Sequence, residues 1–408
     1  MRVLLSTYGS RGDVQPLVAL GLALQAIGVE ALVSAPADAE FVELLGREAV
    51  PLEPAFMPVR QWIEQAKQSG LRLPQLAAKM VPAQFDAIAA AAEGCDAIVA
   101  TGLFPSVAAA RSVAEKRGIH FSWAAFCPLM VPSPHHPPME YPGWSHPPEL
   151  TDNLALWAFN AQAKKALFGE AVNTHRASIA LPTLDNVRDH VFTHRPWLAS
   201  DPVLSPWQPT DLNDAVQTGA WILPDSRPLP AGLEAFLASG EPPVYVGFGS
   251  MAMHAAEDPA RTAIEAVRAQ GRRVILGRGW ANLALIDDQE DCFVVGEVNQ
   301  QALFARVAAV MHHGGAGTTT AAARAGAPQV VVPQVADQPY WASRVTELGI
   351  GAAHDGSIPR AGSLLAPLRT ALAADTRERA FAVAKTIRSD GAVIAAELLV
   401  AEVRGKRQ

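Results

Sequence analysis

HHGGAGTTT, residues 312–320, is the stretch of this chain best equipped for chemistry. It follows the apolar run VAAVM and leads into TTAAARAG, so it reads as a strand end opening a helix. Glycines there let main-chain amides approach an anion where the helix dipole carries about half a positive charge. A diphosphate suits that place. Gly314, Gly315, Ala316 and Gly317 supply amides, His313 a side-chain donor and Thr318 a hydroxyl; the plainer use of the same residues is a tight turn with a packed histidine. Gly315, Ala316 and Gly317 also begin the GxGxxG pattern of nicotinamide-dinucleotide sites. The pattern then fails, because Thr320 stands where the third glycine belongs and no acidic residue ends a following strand at the usual distance.

A second cluster lies near the start. In GSRGD, residues 9–13, Asp13 precedes Val14, Gln15 and Pro16, and a proline suits a first helical turn. The reading is a helix over 14–27 with Asp13 at its start, either as an ordinary cap or as a carboxylate able to take a proton from an attacking hydroxyl. No histidine precedes His120 to compete for that role. GFGS brings Ser250 to a third strand end, as a phosphate contact or as a simple turn. Asp337 and Gln338 follow VVVPQVA at a fourth, where adjacent carboxylate and amide groups suit the hydroxyls of a pyranose or form a solvated turn. The acidic run DDQED, residues 287–291, contains no DxD triplet and neither does the rest of the chain. It reads as a solvated loop, and no metal site is expected. Charge on a leaving group would then be met by amide dipoles, His313 and hydroxyls.

These clusters need strands to end where they begin. Short buried runs at 2–7, 30–35, 97–101 and 121–126 alternate with helical segments such as 106–116, and runs at 244–249, 274–276, 293–295, 309–312 and 329–332 repeat the scheme. Such alternation gives an α/β chain of two doubly wound parallel-sheet domains. Ligands of such sheets lie outside the carboxyl ends of the strands, so two of them facing each other would enclose a cleft. Proline- and tryptophan-rich sequence after Arg195 marks the junction. The expected division is an N-terminal acceptor-binding domain over 1–206, a linker over 207–230, a nucleotide-sugar domain over 231–388 and a final helix over 389–408. Residues 127–150, CPLMVPSPHHPPMEYPGWSHPPEL, hold too many prolines for regular structure; they form either a binding lid or a surface excursion.

Composition narrows the partners. A chain of 408 residues, 50% hydrophobic and 18% charged, buries ample apolar surface and suggests two domains. A formal charge of −7 argues against the basic face that nucleic acid demands, so any anion is bound locally. Cys95, Cys127 and Cys292 are odd in number and far apart, which indicates neither a disulfide framework nor a paired metal motif and fits the cytoplasm. The apolar run after Arg2 is too short for a signal peptide, and no uncharged stretch reaches the ~18 residues of a membrane span.

With these residues in place the whole chain resembles the family-1 glycosyltransferases of the GT-B fold. HGGAGT at 313–318 and DQ at 337–338 resemble the family's donor signature. MRVLLSTYGSRGDVQPLVAL, EGCDAIVATGL, LFGEAVNTHRASIALP and ASDPVLSP are similar to the subgroup that glycosylates glycopeptide antibiotic aglycones of the vancomycin and teicoplanin kind. The resemblance implies an inverting, metal-independent hexosyltransferase that needs no cofactor beyond a TDP- or UDP-sugar co-substrate and acts on a hydroxyl of a heptapeptide aglycone. It implies Asp13 as the general base, with Ser10, Arg11 and Gly12 near the donor diphosphate. Ser250 and 313–318 would bind phosphates, Arg278 and Val298 would lie near the nucleotide, and Asp337 and Gln338 would touch the sugar. It also implies that the final helix returns to the N-terminal domain. The same chemistry on a polyketide, macrolide or sterol acceptor is the alternative within the class. A catalytically silent glycosyltransferase-like partner protein is the alternative outside it.

Overall fold

In β1 (Arg2–Tyr8) every residue after Arg2 is buried, which a strand achieves only when both faces of its sheet are covered. The computed structural model describes residues 1–140, 144–249, 258–279, 283–287 and 289–405. The chain forms two units. Met1–Ser200, Trp207–Leu223 and Ser389–Gln408 make the first; Asp201–Pro206 and Pro224–Arg388 make the second.

The first unit is built on a seven-stranded sheet in the order β3-β2-β1-β4-β5-β6-β7. Its further strands are β2 (Glu30–Ala35), β3 (Leu52–Pro54), β4 (Ala97–Gly102), β5 (His120–Ala125), β6 (Trp197–Leu198) and β7 (Val216–Gln217). All pairings are parallel. The order reverses between β1 and β4, so the loop leaving β1 stands at the switch point where such sheets take ligands. That loop is Gly9–Ser10, and the helix after it corrects the sequence reading: it runs Arg11–Ala26 with Pro16 inside it, not 14–27 with Pro16 in its first turn. Ser10 is the cap, and its pairing with Asp13 starts the helix ahead of the expected point. Pro16 lacks only the bond to the carbonyl of Gly12, a small loss so near the helix start.

Among the described residues of the proline-rich stretch the one named element is the turn Pro128–Met130. Its described part is fastened to the helix Asn153–Lys164: Trp157 Nε1 donates to the His136 carbonyl at 3.0 Å, and the rings of Trp144 and Phe159 lie 5.8 Å apart. The final helix Gly391–Gly405 belongs to this unit and packs along Arg11–Ala26. Its Glu402 meets His120 Nε2 at 3.2 Å and Arg195 Nε at 3.1 Å.

The second unit has a six-stranded sheet in the order β10-β9-β8-β11-β12-β13, again wholly parallel. Its strands are β8 (Val244–Gly247), β9 (Val274–Gly277), β10 (Cys292–Val295), β11 (Ala309–His312), β12 (Gln329–Val331) and β13 (Gly351–Ala353). The switch point lies between β8 and β11, where Gly247 pairs with His312. The acidic run is a solvent-facing loop that is also fastened. Asp287 and Asp291 close on the guanidinium of Arg268 at 2.6 and 2.7 Å and tie the β9–β10 connection to the helix Pro259–Arg268. Arg268 in turn holds the Asp287 carboxyl at about 2. Asp288 lies outside the described residues. Also among the described residues, no helix is long and apolar enough to cross a membrane.

Candidate active site

At the end of β11 the side chain of His312 is wholly buried. Its Nδ1 accepts the N–H of Gly314 at 3.0 Å, and its Nε2 lies 2.9 Å from Gln329 Oε1. An imidazole that accepts at Nδ1 carries its proton on Nε2, so the Gln329 amide oxygen is the acceptor, and Gln329 Nε2 donates onward to the Thr319 carbonyl at 3.3 Å. Burial, with the neighbouring His313 as a lesser cause, pushes His312 down to about 3. This neutral network fixes the loop. Gly314 stands at φ +90°, and a Cβ there would lie 2.7 Å from Val331 Cγ1 and 3.1 Å from the Gln338 carbonyl. Its own N–H is spent on His312, so an anion must be met by the amides that follow.

Those amides are unspent within the helix Ala316–Arg324. Gly315 caps it without any side-chain bond, and the first N–H to bond is that of Thr319, to the Gly315 carbonyl at 3.0 Å. The N–H groups of Ala316, Gly317 and Thr318 therefore have no intrahelical partner. Thr319 and Thr320 turn their hydroxyls back onto the Gly315 and Ala316 carbonyls at 2.9 and 2.8 Å, whereas the half-exposed Thr318 does not. His313 lies against Gly249 and Gly315, within 3.1 and 2.6 Å of the positions a Cβ would take on each. It is half-buried and pushed by burial down to about 4. Its Nδ1 has no partner among the described residues. Amides without an intrahelical partner, a helix dipole and a neutral imidazole whose Nδ1 is unpaired among the described residues are the ingredients of an oxyanion site.

The loop after β12 packs directly on this one. Gln338 is buried, and its Oε1 accepts the N–H of Gln334 at 2.7 Å and of Val335 at 3.1 Å. Its side-chain oxygen thus closes the loop. Ala336 sits at φ +60°, a conformation that a side chain adopts only when its surroundings hold it. Asp337 is half-buried, and burial raises its carboxyl above the usual range, partly offset by the indole N–H of Trp341 donating to Oδ2 at 2.7 Å.

Arg278 and Val298 stand just beyond β9 and β10, at the same carboxyl edge of the sheet. Arg278 is exposed, and its N–H bonds the Val295 carbonyl at 2.9 Å. Val298 is half-buried beside Asn299, whose amide holds the carbonyls of Asp225 and Arg227 at 2.9 and 2.8 Å. Ser250 lies outside the described residues. Of the GFGS glycines, Gly249 faces His313, but Gly247 serves packing: a Cβ there would be 2.5 Å from the hydroxyl of Tyr245. That hydroxyl is pushed up to about 12 by burial and is bonded to Gln300.

In the first unit, Asp13 Oδ2 accepts the Ser10 N–H at 2.8 Å and lies 3.3 Å from Ser10 Oγ, which in turn accepts from the Gly12 N–H at 3.3 Å. A Cβ on Gly9 would be 2.2 Å from that carboxylate oxygen, so the glycine is what lets Asp13 lie over the strand end. Arg11 Nε is bonded to Gln15 Oε1 at 3.0 Å. Beneath the loop, the buried Tyr8 gives its hydroxyl to the Met57 carbonyl at 3.0 Å. Gln329, Trp341 and Tyr245 escaped the sequence reading, as did the individual roles of His312 and Gly9 inside the stretches it singles out. The doubled histidine was a signal for His312, since in a strand only one of two neighbours faces a given side.

A family profile described as erythromycin biosynthesis protein CIII-like, C-terminal domain, matches residues 286–397. The chain is 55% identical to glycosyltransferase GtfE of Amycolatopsis orientalis over 99% of this chain and 98% of that protein. It is 53% identical to vancomycin aglycone glucosyltransferase of the same organism, over 98% and 97%. Among solved structures, glycosyltransferase VinC in complex with dTDP matches with a TM-score of 0.69 at 18% identity, over 99% of this chain and 100% of that one. At that identity the likeness is one of fold.

Proposed function

The chain belongs to the family-1 glycosyltransferases of the GT-B fold, in the group that includes the glycopeptide antibiotic enzymes, and from that premise we propose that it moves a sugar from a TDP- or UDP-sugar onto a hydroxyl of a glycopeptide aglycone, with inversion. The observation that carries the reading is the helix Ala316–Arg324, uncapped by any side chain, with the Nδ1 of His313, unpaired among the described residues, beside it. A departing diphosphate gains charge at its bridging oxygen, and preorganised donors of this kind meet that charge without a metal ion.

Asp13 takes the proton of the acceptor hydroxyl. The hydroxyl oxygen bonds to the anomeric carbon as the bond from that carbon to the diphosphate breaks, the nucleotide leaving with the electron pair into the cradle. Attack from the face opposite the leaving group inverts the centre, and no covalent intermediate forms. Ser10 and Gly9 hold Asp13, Asp337 and Gln338 hold the sugar, Arg278 and Val298 serve the nucleotide, and Ser250 is assigned to a phosphate. The donor is a co-substrate, and no resident cofactor takes part.

Mass spectrometry of products from a matrix of TDP- and UDP-sugars with heptapeptide aglycones tests the assignment. A mass gain of one hexose or deoxyhexose on an aglycone is the expected result. Transfer only to polyketide, macrolide or sterol acceptors would move the substrate class, and failure to use any nucleotide sugar would favour a silent partner protein.

A further inference from the structure

The side chain of Asp337 is pinned by a buried residue of the helix that follows it. Trp341 lies one helical turn along Gln338–Glu347 and is buried to 1% exposure, and its Nε1 donates to Asp337 Oδ2 at 2.7 Å. An indole N–H can only donate. Asp337 occupies the cap position of that helix, yet its side chain makes no capping bond, although aspartate there commonly turns inward to do so. The backbone on both sides is held as well: Ala336 stands at φ +60°, and Gln338 Oε1 gathers the amides of Gln334 and Val335. Next to the indole, the Tyr340 hydroxyl is bonded to Ser205 Oγ at 3.0 Å.

A carboxylate on a free torsion accepts from hydroxyls in many directions and so distinguishes epimers poorly. One with a fixed oxygen accepts along one direction. The indole bond also favours the ionised, accept-only form of the carboxyl against the upward push of burial. We propose that Trp341 is a positioning residue for the donor sugar: its indole N–H holds the Asp337 carboxylate in the orientation that discriminates between sugar epimers. The inference rests on the assignment of Asp337 to the sugar.

Trp341→Phe keeps an aromatic ring and removes the donor. Calorimetry with thymidine diphosphate, TDP-glucose and TDP-galactose should show thymidine diphosphate affinity unchanged within about twofold, the preferred TDP-sugar weakened about five- to tenfold, and the ratio between the two sugars drawn toward one. Asp337→Ala should produce the same loss, and adding Trp341→Phe to it should cost nothing further, because coupled residues are not additive. Weakening of thymidine diphosphate itself, or an equal effect of Trp341→Phe in both backgrounds, would reduce Trp341 to packing and overturn the proposal. A sugar loss in Asp337→Ala without one in Trp341→Phe sinks the inference alone; no loss in Asp337→Ala removes the sugar assignment and the inference together. Should Trp341→Phe not fold, the indole N–H signals of 15N-labelled protein decide. One of them must move in Asp337→Ala and with TDP-glucose but not with thymidine diphosphate, and a spectrum without such a signal overturns the proposal.

Discussion

A single carboxylate that closes a capping box and is proposed to take a proton invites a separation of the two roles. Asp13→Asn retains an oxygen able to accept the Ser10 N–H, so the fold should lose less than about 1 kcal/mol. Its turnover should fall about 10²- to 10⁴-fold, roughly 3 to 5 kcal/mol of barrier, with donor affinity little changed; near-normal kcat would take the role from Asp13. His313→Ala should weaken nucleoside diphosphate binding by about 1.5 to 3 kcal/mol in calorimetry, the range for a hydrogen bond to a charged group. The two histidines also set a pH dependence. Unfolded histidines titrate near 6.5, while His312 and His313 are held at about 3 and about 4. Between those values and 6.5 the unfolded chain binds the extra protons, so stability falls as pH drops below ~6.5, and these groups contribute no slope above ~7. Denaturant midpoints from pH 7.5 to 5 should show that fall, and His313→Asn should flatten part of it.

Glycines make the sharpest tests of the elements. Gly9→Ala would drive a methyl into the Asp13 carboxylate, and the expected outcome is lost kcat with donor binding preserved, a split visible by comparing turnover with nucleotide titration. Gly314→Ala meets Val331 and the Gln338 carbonyl at positive φ, and should cost roughly 2 to 4 kcal/mol of stability together with donor binding. The loops themselves were legible in the sequence, because a buried apolar run ending in glycine and histidine marks a strand end wherever it occurs. Their internal wiring was not. Gln329 reads as a stray polar residue in QVVVP until β12 is laid beside β11, and Trp341 reads as core until the helix turns it back on Asp337. The sequence reading starts the helix Arg11–Ala26 at 14, whereas the reciprocal Ser10–Asp13 pairing starts it at Arg11. The short strands β3, β6, β7 and β13 carry too few residues to show any period.

At the scale of the whole molecule, ligand binding should be felt unequally. A nucleoside diphosphate at a hundred times its Kd stabilises what binds it by about 2.7 kcal/mol. Hydrogen exchange should therefore slow at Ala316, Gly317 and Thr318; protection confined to the first unit would contradict the donor assignment. The path of the chain has a practical consequence for engineering. It passes from one unit to the other after Ser200, returns after Pro206, leaves again after Leu223 and comes back after Arg388. Exchanging donor halves between related enzymes at one breakpoint would carry the closing helix into foreign company and part Glu402 from His120 and Arg195. A chimera that transplants 201–206 with 224–388 and keeps the native tail respects the seams along which this protein is sewn.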